Sequence, residues 1–198
     1  MAFDQLSDDA ESLKSKRRDK LIGVYIGILA VVLAICGMGG GNAAKESTLR
    51  NIEASNIWGF FQSKNIRRAG IRLQADELAL LLESNPAMPE AAAKRMQAKI
   101  DEYRALDLKL TSDKESNEGL DELFMKGKAL EAARDTALQR DPYFDYGQAL
   151  LQIAIVLASV AIISGGNAVL IASLLVGALG VVATIGGFTL AFPLPFIS

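Results

Sequence analysis

Residues 21–38 read LIGVYIGILAVVLAICGM, eighteen residues without an acid or a base. At about 1.5 Å per residue a helix of that length rises about 27 Å, enough to cross a bilayer core with little tilt. The charge-free stretch extends to residue 44, and a second one covers residues 146–198. The chain nevertheless carries 21 basic and 23 acidic residues, all outside those two blocks. A composition of 51% hydrophobic residues with mean hydropathy +0.24 is thus an average over two unlike materials. A soluble globular domain does not segregate charge in this way. The pattern predicts an all-α integral membrane protein with a highly charged extramembrane part.

Composition removes several classes of function. The chain has no histidine, the commonest catalytic base and metal ligand. Its one cysteine, Cys36, lies in the first apolar stretch, so neither an internal disulfide nor a thiolate metal cluster is expected. Cys36 reads as a small apolar packing residue, or else as a palmitoylation or intermolecular bridging site. A net charge of -2 argues against nucleic acid as a partner. No P-loop, nucleophile elbow or C-x-x-C occurs. Adjacent carboxylates such as Asp76/Glu77, Asp101/Glu102 and Asp121/Glu122 diverge by about 100° around a helix. Tyr25 is the one ionisable side chain inside an apolar span, which leaves no proton relay or ion-coupling carboxylate. Three unbroken spans do not resemble an inverted-repeat transporter. The expectation is a protein that is not an enzyme and carries no cofactor or metal.

The segments fall in a definite order. Residues 1–20 form a charged tail, acids first (Asp4, Asp8, Asp9, Glu11) and bases after (Lys14, Lys16, Arg17, Arg18, Lys20), read as disordered or frayed helix. Residues 21–38 are the first span, an uncleaved signal-anchor, because its end offers no clean small-x-small cleavage site. Gly37, Gly39, Gly40 and Gly41 are expected to break the helix, with Asn42 capping the next. The extramembrane part, residues 42–146, is expected to be coiled-coil-like. It begins with a long helix over residues 43–83, in which Leu49, Phe60, Ile71 and Leu82 recur every eleven residues. Residues 84–89 are a turn. A second helix over residues 90–110 places Met96, Ile100, Tyr103 and Leu110 together. A third over residues 120–139 repeats Leu123, Leu130 and Ala137, and Asp141-Pro142 ends or kinks it. Tyr143, Phe144 and Tyr146 then suit a membrane–water interface. Residues 147–164 are the second span and residues 168–191 the third, with Pro193 and Pro195 beyond. The turn Gly165-Gly166-Asn167 makes these two an antiparallel hairpin.

Five bases precede the first span, while Lys45 and Arg50 follow it, which favours a cytoplasmic amino terminus. Lys16, Arg17, Arg18 and Lys20 abut the span and suit lipid headgroups. Gly23 and Gly27 form a G-x-x-x-G, and Gly177 and Gly180 belong to small-xxx-small patterns in the third span. Both allow close helix packing, within the chain or between chains.

The most distinctive stretch is Asn56-Ile57-Trp58-Gly59-Phe60-Phe61-Gln62-Ser63-Lys64-Asn65-Ile66-Arg67. Trp58, Phe60 and Phe61, with Gln62, Lys64, Arg67 and Arg68, read as helix–helix packing or as a docking surface for a partner chain. Arg67, Arg68 and Arg72 form a basic face that pairs with acids such as Asp76 and Glu77 or takes phosphate or anionic lipid. On these residues the chain resembles the bacterial family called domain of unknown function 4337. That family has a first span, a polar helix with a D-x-W-x-x-Y-Q-A-K-like motif, a helical middle and two closing spans. The motif here is Asn56, Trp58, Phe61, Gln62, Ser63 and Lys64. Residues 41–45 (GNAAK) and 149–154 (ALLQIA) look like the family too. Asn56 and Phe61 stand where the family has an acid and a tyrosine, so chemistry resting on those groups would be missing here. The resemblance implies architecture and a bacterial cytoplasmic membrane location, and no activity.

The middle region is about one-third charged and its apolar stripe is broken, a pattern that stabilises helices poorly in isolation. The expected partners are membrane lipids and either a second copy or another membrane protein. The leading expectation is a non-enzymatic oligomeric scaffold. An accessory subunit anchored through Trp58, Phe60 and Phe61 is the alternative. An oligomeric channel lined by Gln152, Ser159, Ser173 or Thr184 is the third.

Overall fold

A computed structural model describes the backbone over residues 2–193 and the side chains of residue 13 and residues 15–193. The side chains of the acids Asp4, Asp8, Asp9 and Glu11 and of Lys14, and all of Pro195, lie outside the described residues. The described chain is all-α: α1 (Ala2–Ser84), α2 (Glu90–Thr111), α3 (Leu120–Ser164) and α4 (Asn167–Thr189). Three of these, α1, α3 and α4, contain stretches long and apolar enough to cross a membrane. The chain divides into two compact units. One holds the residues up to Ser47 and those from Asp135 onward, and the other is Thr48–Arg134.

The expected break at residues 37–41 is absent, and of the two readings of Pro142 the helix ending does not occur. The glycines at 37–41 do not end a helix, and Asn42 lies inside α1 rather than capping a new helix. Each interior glycine costs about 1 kcal/mol against alanine. Packing supplies the reason for accepting that cost. A Cβ on Gly39 would lie 2.4 Å from Phe144 Cε1, and one on Gly40 would lie 3.1 Å from Phe144 Cβ. These glycines therefore make room for a ring. Likewise Pro142 does not end α3, which runs on to Ser164. The proline gives up one backbone hydrogen bond. Its neighbours Tyr143 and Phe144 are buried, and their packing holds the helix through that point. The charged amino-terminal segment is continuous with α1 from Ala2, rather than a separate tail.

The first unit is a three-helix bundle. The Leu29, Cys36, Ala43, Phe144, Leu151 and Ala154 side chains form its core. α3 and α4 are an antiparallel hairpin closed by Gly165 and Gly166, and Gly165 takes a left-handed φ of 67° that suits glycine. Gly180 packs on Leu151 and Gly187 on Phe144, so α4 lies against α3 through small residues. The α4 helix ends at Leu190, whose left-handed backbone lets its N–H reach the Gly186 carbonyl at 2.7 Å.

Tyr143 and Phe144 are buried inside the bundle, and of the three aromatics read as suiting an interface only Tyr146 is exposed. The Tyr143 hydroxyl donates to the Phe192 carbonyl, and Phe144 sits edge-on to Phe188 with centroids 5.0 Å apart. The glycines at 39, 40, 186 and 187 make the space that draws these rings inward.

The second unit folds the remainder of α1 against α2 and the start of α3. Its core includes Ala54, Ile71, Ala75, Ile100, Leu110, Leu120 and Leu123. Met96 and Tyr103 are half-buried beside Ile100 and Leu110, as the helical spacing requires. The eleven-residue row is not a packing face: Ile71 is buried, but Leu49 and Phe60 are exposed. Between α2 and α3 the Glu122 carboxylate accepts from the Ser112 hydroxyl at 2.7 Å and from the Asp113 N–H at 3.1 Å. Gly119 is required there, since a Cβ would lie 2.4 Å from the Asp113 backbone nitrogen.

Candidate functional site

The motif residues of α1 meet α3 inside the second unit. Trp58 stands edge-on to both Phe61 and Phe124, each with ring centroids 5.6 Å away. Its indole N–H donates to Glu131 Oε1 at 3.0 Å, and Lys128 Nζ donates to Glu131 Oε2 at 2.8 Å. The Lys128 ammonium also lies over the Trp58 ring. Opposite the indole is Gly127, where a Cβ would come within 2.8 Å of it. The glycine is a seat for the tryptophan. Hydrogen bonding to Lys128 first, and to Trp58 as well, holds the Glu131 carboxyl below its ordinary range.

One turn farther along, Lys64 donates to the Glu118 carbonyl, pairs with the Glu118 carboxylate at 3.8 Å and covers the Phe60 ring. Arg68 Nε and Arg72 Nε both donate to Asp107 Oδ1, at 2.8 and 2.7 Å, and Arg72 Nη2 reaches Oδ2 at 3.0 Å. The expected partners Asp76 and Glu77 are thus replaced by Asp107 of α2. The bonds from Arg72, then Arg68, lower the Asp107 pKa from its ordinary value. One carboxylate is thus shared by Arg68 and Arg72, and Arg67 and Arg72 are the exposed members of the basic face. Phe60 and Gln62 are exposed as well. Between α1 and α3 lies an open cleft of about 400 Å³, lined by Phe61, Asn65, Arg68, Leu120, Asp121, Phe124 and Met125.

The structure therefore packs Trp58 and Phe61 on α3, pairs Lys64 with Glu118 just ahead of α3, and pairs Arg68 with Asp107 of α2. It leaves Phe60, Gln62 and Arg67 exposed. Sequence reasoning missed Phe124, Gly127, Glu131, Asp107 and Glu118. The chain places them far from the motif, and single residues in charged helices carry no periodic signal.

The first unit treats its expected residues unequally. Arg18 turns inward and donates to the carbonyls of Gly165 at 2.8 Å and Ala161 at 3.2 Å. It satisfies acceptors left over at the end of α3 and complements the helix dipole there. Lys16, Arg17 and Lys20 remain exposed. Gly177 and Gly180 are buried packing residues, and a Cβ on Gly177 would lie 2.6 Å from the Tyr25 hydroxyl. Gly23 and Gly27 face outward, with nothing near enough to meet a Cβ. Ser173 donates to the Ala154 carbonyl at 2.7 Å, and Tyr25 donates to the Ser173 carbonyl at 3.0 Å. Thr184 bonds back to the Gly180 carbonyl. Ser173 and Thr184 thus serve the bundle interior, while Gln152 and Ser159 are exposed on its outer face. Cys36 is fully buried and donates to the Phe144 carbonyl at 3.4 Å. Among the described residues, no group of three or more Cys, Asp or Glu side chains is placed to hold a metal ion.

These features define a class: an all-α chain with three membrane-length apolar helices and a separate charged helical unit. Residues 18–190 match the family described as Domain of unknown function (DUF4337), and the chain belongs to that family. No curated protein and no solved structure matches the chain.

Proposed function

We propose that this protein is a non-enzymatic interaction scaffold, anchored in a bacterial cytoplasmic membrane by three spans and presenting its charged helical unit to partners. The observation that carries the reading is the apolar surface left uncovered on that unit. Phe60, Ile66, Leu73, Leu80, Phe124 and Met125 are all exposed there. Lipid would cover such side chains on the spans, but it does not cover a unit whose surface is so highly charged. Clustered uncovered apolar residues on a water-facing unit mark an interaction surface. The pairing of Asp107 with Arg68 and Arg72, and of Glu131 with Lys128 and Trp58, supports a structural use of these charges.

A second reading, accessory subunit of a larger membrane complex, is favoured by the open cleft in which Phe61, Leu120, Phe124 and Met125 stand beside Asn65, Arg68 and Asp121. Affinity isolation from native membranes, followed by native mass measurement in mild detergent, separates the two. A self-multiple species is expected for the scaffold, and a reproducible unequal partner for the subunit. Ion flux from the purified chain in liposomes would instead favour a channel and overturn both.

A further inference from the structure

The amino-terminal end of the first unit carries a cationic hollow. It is open, has a volume of about 520 Å³, and is lined by Leu13, Lys16, Arg17, Asp19 and Lys20. Arg18 takes no part, because it turns inward to the Gly165 and Ala161 carbonyls. Lys16, Arg17 and Lys20 are exposed, and Asp19, the one acid of the lining, is half-buried. The α3–α4 turn that Arg18 reaches belongs to a stretch, residues 146–198, without any charge, so it offers the three bases no carboxylate. Below the hollow the outward face of α1 is a lane. Lys16, Lys20, Gly23, Gly27, Ala30 and Ala34 follow one another at alternating spacings of four and three, which keeps them in one row along a helix. All six are exposed, and a Cβ added at Gly23 or Gly27 would meet nothing within 4 Å. Beside them runs a second exposed row at the same spacing, Arg17, Leu21, Val24, Ile28, Val31 and Ile35. The first row is a shallow floor and the second its apolar wall. From Gly23 to Ala34 the floor runs about 16 Å, the depth of one bilayer leaflet.

We infer that this face binds one anionic phospholipid, with its headgroup phosphate on Lys16, Arg17 and Lys20 and one acyl chain lying over Gly23, Gly27, Ala30 and Ala34. The inference rests on the membrane anchoring proposed above and adds a ligand to it. Charge selects the class of lipid. A zwitterionic headgroup brings its own cation against the three bases, whereas phosphatidylglycerol brings a net negative charge. Each base near an anionic surface contributes a preference of about fivefold. The floor selects a lipid over a free phosphate. Bases alone would take any small anion, but an acyl chain on a row of small residues gains close contact along its length. No described residue of the chain fills that row at Gly23 or Gly27. The head and the lane lie on the same face of one helix, so a single molecule reaches both.

The test uses the full chain purified in mild detergent and read by native mass measurement. Phosphatidylglycerol and phosphatidylcholine with the same acyl chains are added in equal amounts. The chain should retain one phosphatidylglycerol, favoured over phosphatidylcholine by about tenfold or more. Lys16→Gln, Arg17→Gln and Lys20→Gln together should bring the two lipids to parity. Lys45→Gln, an exposed base beyond the other end of the first span, should leave the preference as it was. Gly27→Leu should lower phosphatidylglycerol retention severalfold while thermal unfolding stays unchanged, since its Cβ meets nothing. Excess glycerol phosphate, which has the charge and no acyl chain, should not displace the lipid. Equal retention of the two lipids, an equal loss in Lys45→Gln, full retention in Gly27→Leu, or displacement by glycerol phosphate overturns the inference. Extraction separates this failure from that of the anchoring. A chain that needs detergent yet shows no preference removes only the lipid site, whereas one released from native membranes by an alkaline wash removes the anchoring as well.

Discussion

The two units of this protein solve the packing of α1 by different means. In the first, helices of membrane length and apolar composition would have little hydrophobic reason to join within lipid, and their contact comes from close fit. Gly39, Gly40, Gly147, Gly177, Gly180, Gly186 and Gly187 each press against a side chain of a neighbouring helix. Tyr25, Cys36, Ser173 and Arg18 donate to backbone carbonyls there, and Arg140 pairs with Glu46 at 4.0 Å. In the second unit one glycine seats an indole, and side chains do the rest through aromatic edges and arginine–carboxylate pairs. The same helix is thus held by backbone approach in one environment and by side-chain chemistry in the other.

The sharpest way to break this contrast is at Trp58. Trp58→Ala empties the aromatic seam and strands the Glu131 bond, and should cost the second unit about 3–5 kcal/mol. Limited proteolysis of residues 48–134 in detergent would show it, and the first unit should stay resistant. Next is Gly187→Leu, which drives a side chain into Phe144 and should cost the first unit about 1–3 kcal/mol. Gly27→Leu, on an open face, should leave thermal unfolding in detergent unchanged. If both glycine variants melt alike, close approach is not what holds the bundle.

A smaller effect is expected at Asp107. Asp107→Asn removes the shared carboxylate of Arg68 and Arg72, pairs that are partly exposed, and should cost about 1 kcal/mol or less. The same group gives a pH signature. Its pKa is lowered by folding, so its contribution is full above the unfolded carboxylate value and is lost as pH falls through the lower folded value. Stability of the second unit should therefore decline below about pH 4. The decline should shrink in Asp107→Asn, as read by urea unfolding across pH.

How far the sequence could be read follows from the same contrast. The apolar stretches were legible because they are long and charge-free. The α3–α4 turn was legible because two glycines interrupt an apolar run. The glycines at 37–41 were misleading, since a local rule treats glycine as a breaker and cannot see a ring from another helix. Trp58 and Lys64 stood out by type, but Phe124, Glu131 and Asp107 owe their roles to a fold that returns α2 and α3 to α1. The spacing of eleven drew attention to Leu49, Phe60, Ile71 and Leu82, yet Ile71 is buried while Leu49 and Phe60 are exposed, and burial was needed to tell the faces of α1 apart.

The central claim is a chain that crosses the membrane three times and presents the second unit on one side. In the first unit Arg18 reaches Gly165, so the amino-terminal end of the first span and the α3–α4 turn share one end of the bundle. Single cysteines at Ser15, Asn167 and Ala98, in the Cys36→Ser chain, can be labelled on sealed cells with a membrane-impermeant maleimide. The account expects Ala98→Cys to react from outside, and Ser15→Cys and Asn167→Cys to react only after the membrane is opened. Labelling of all three positions from the same side would contradict it.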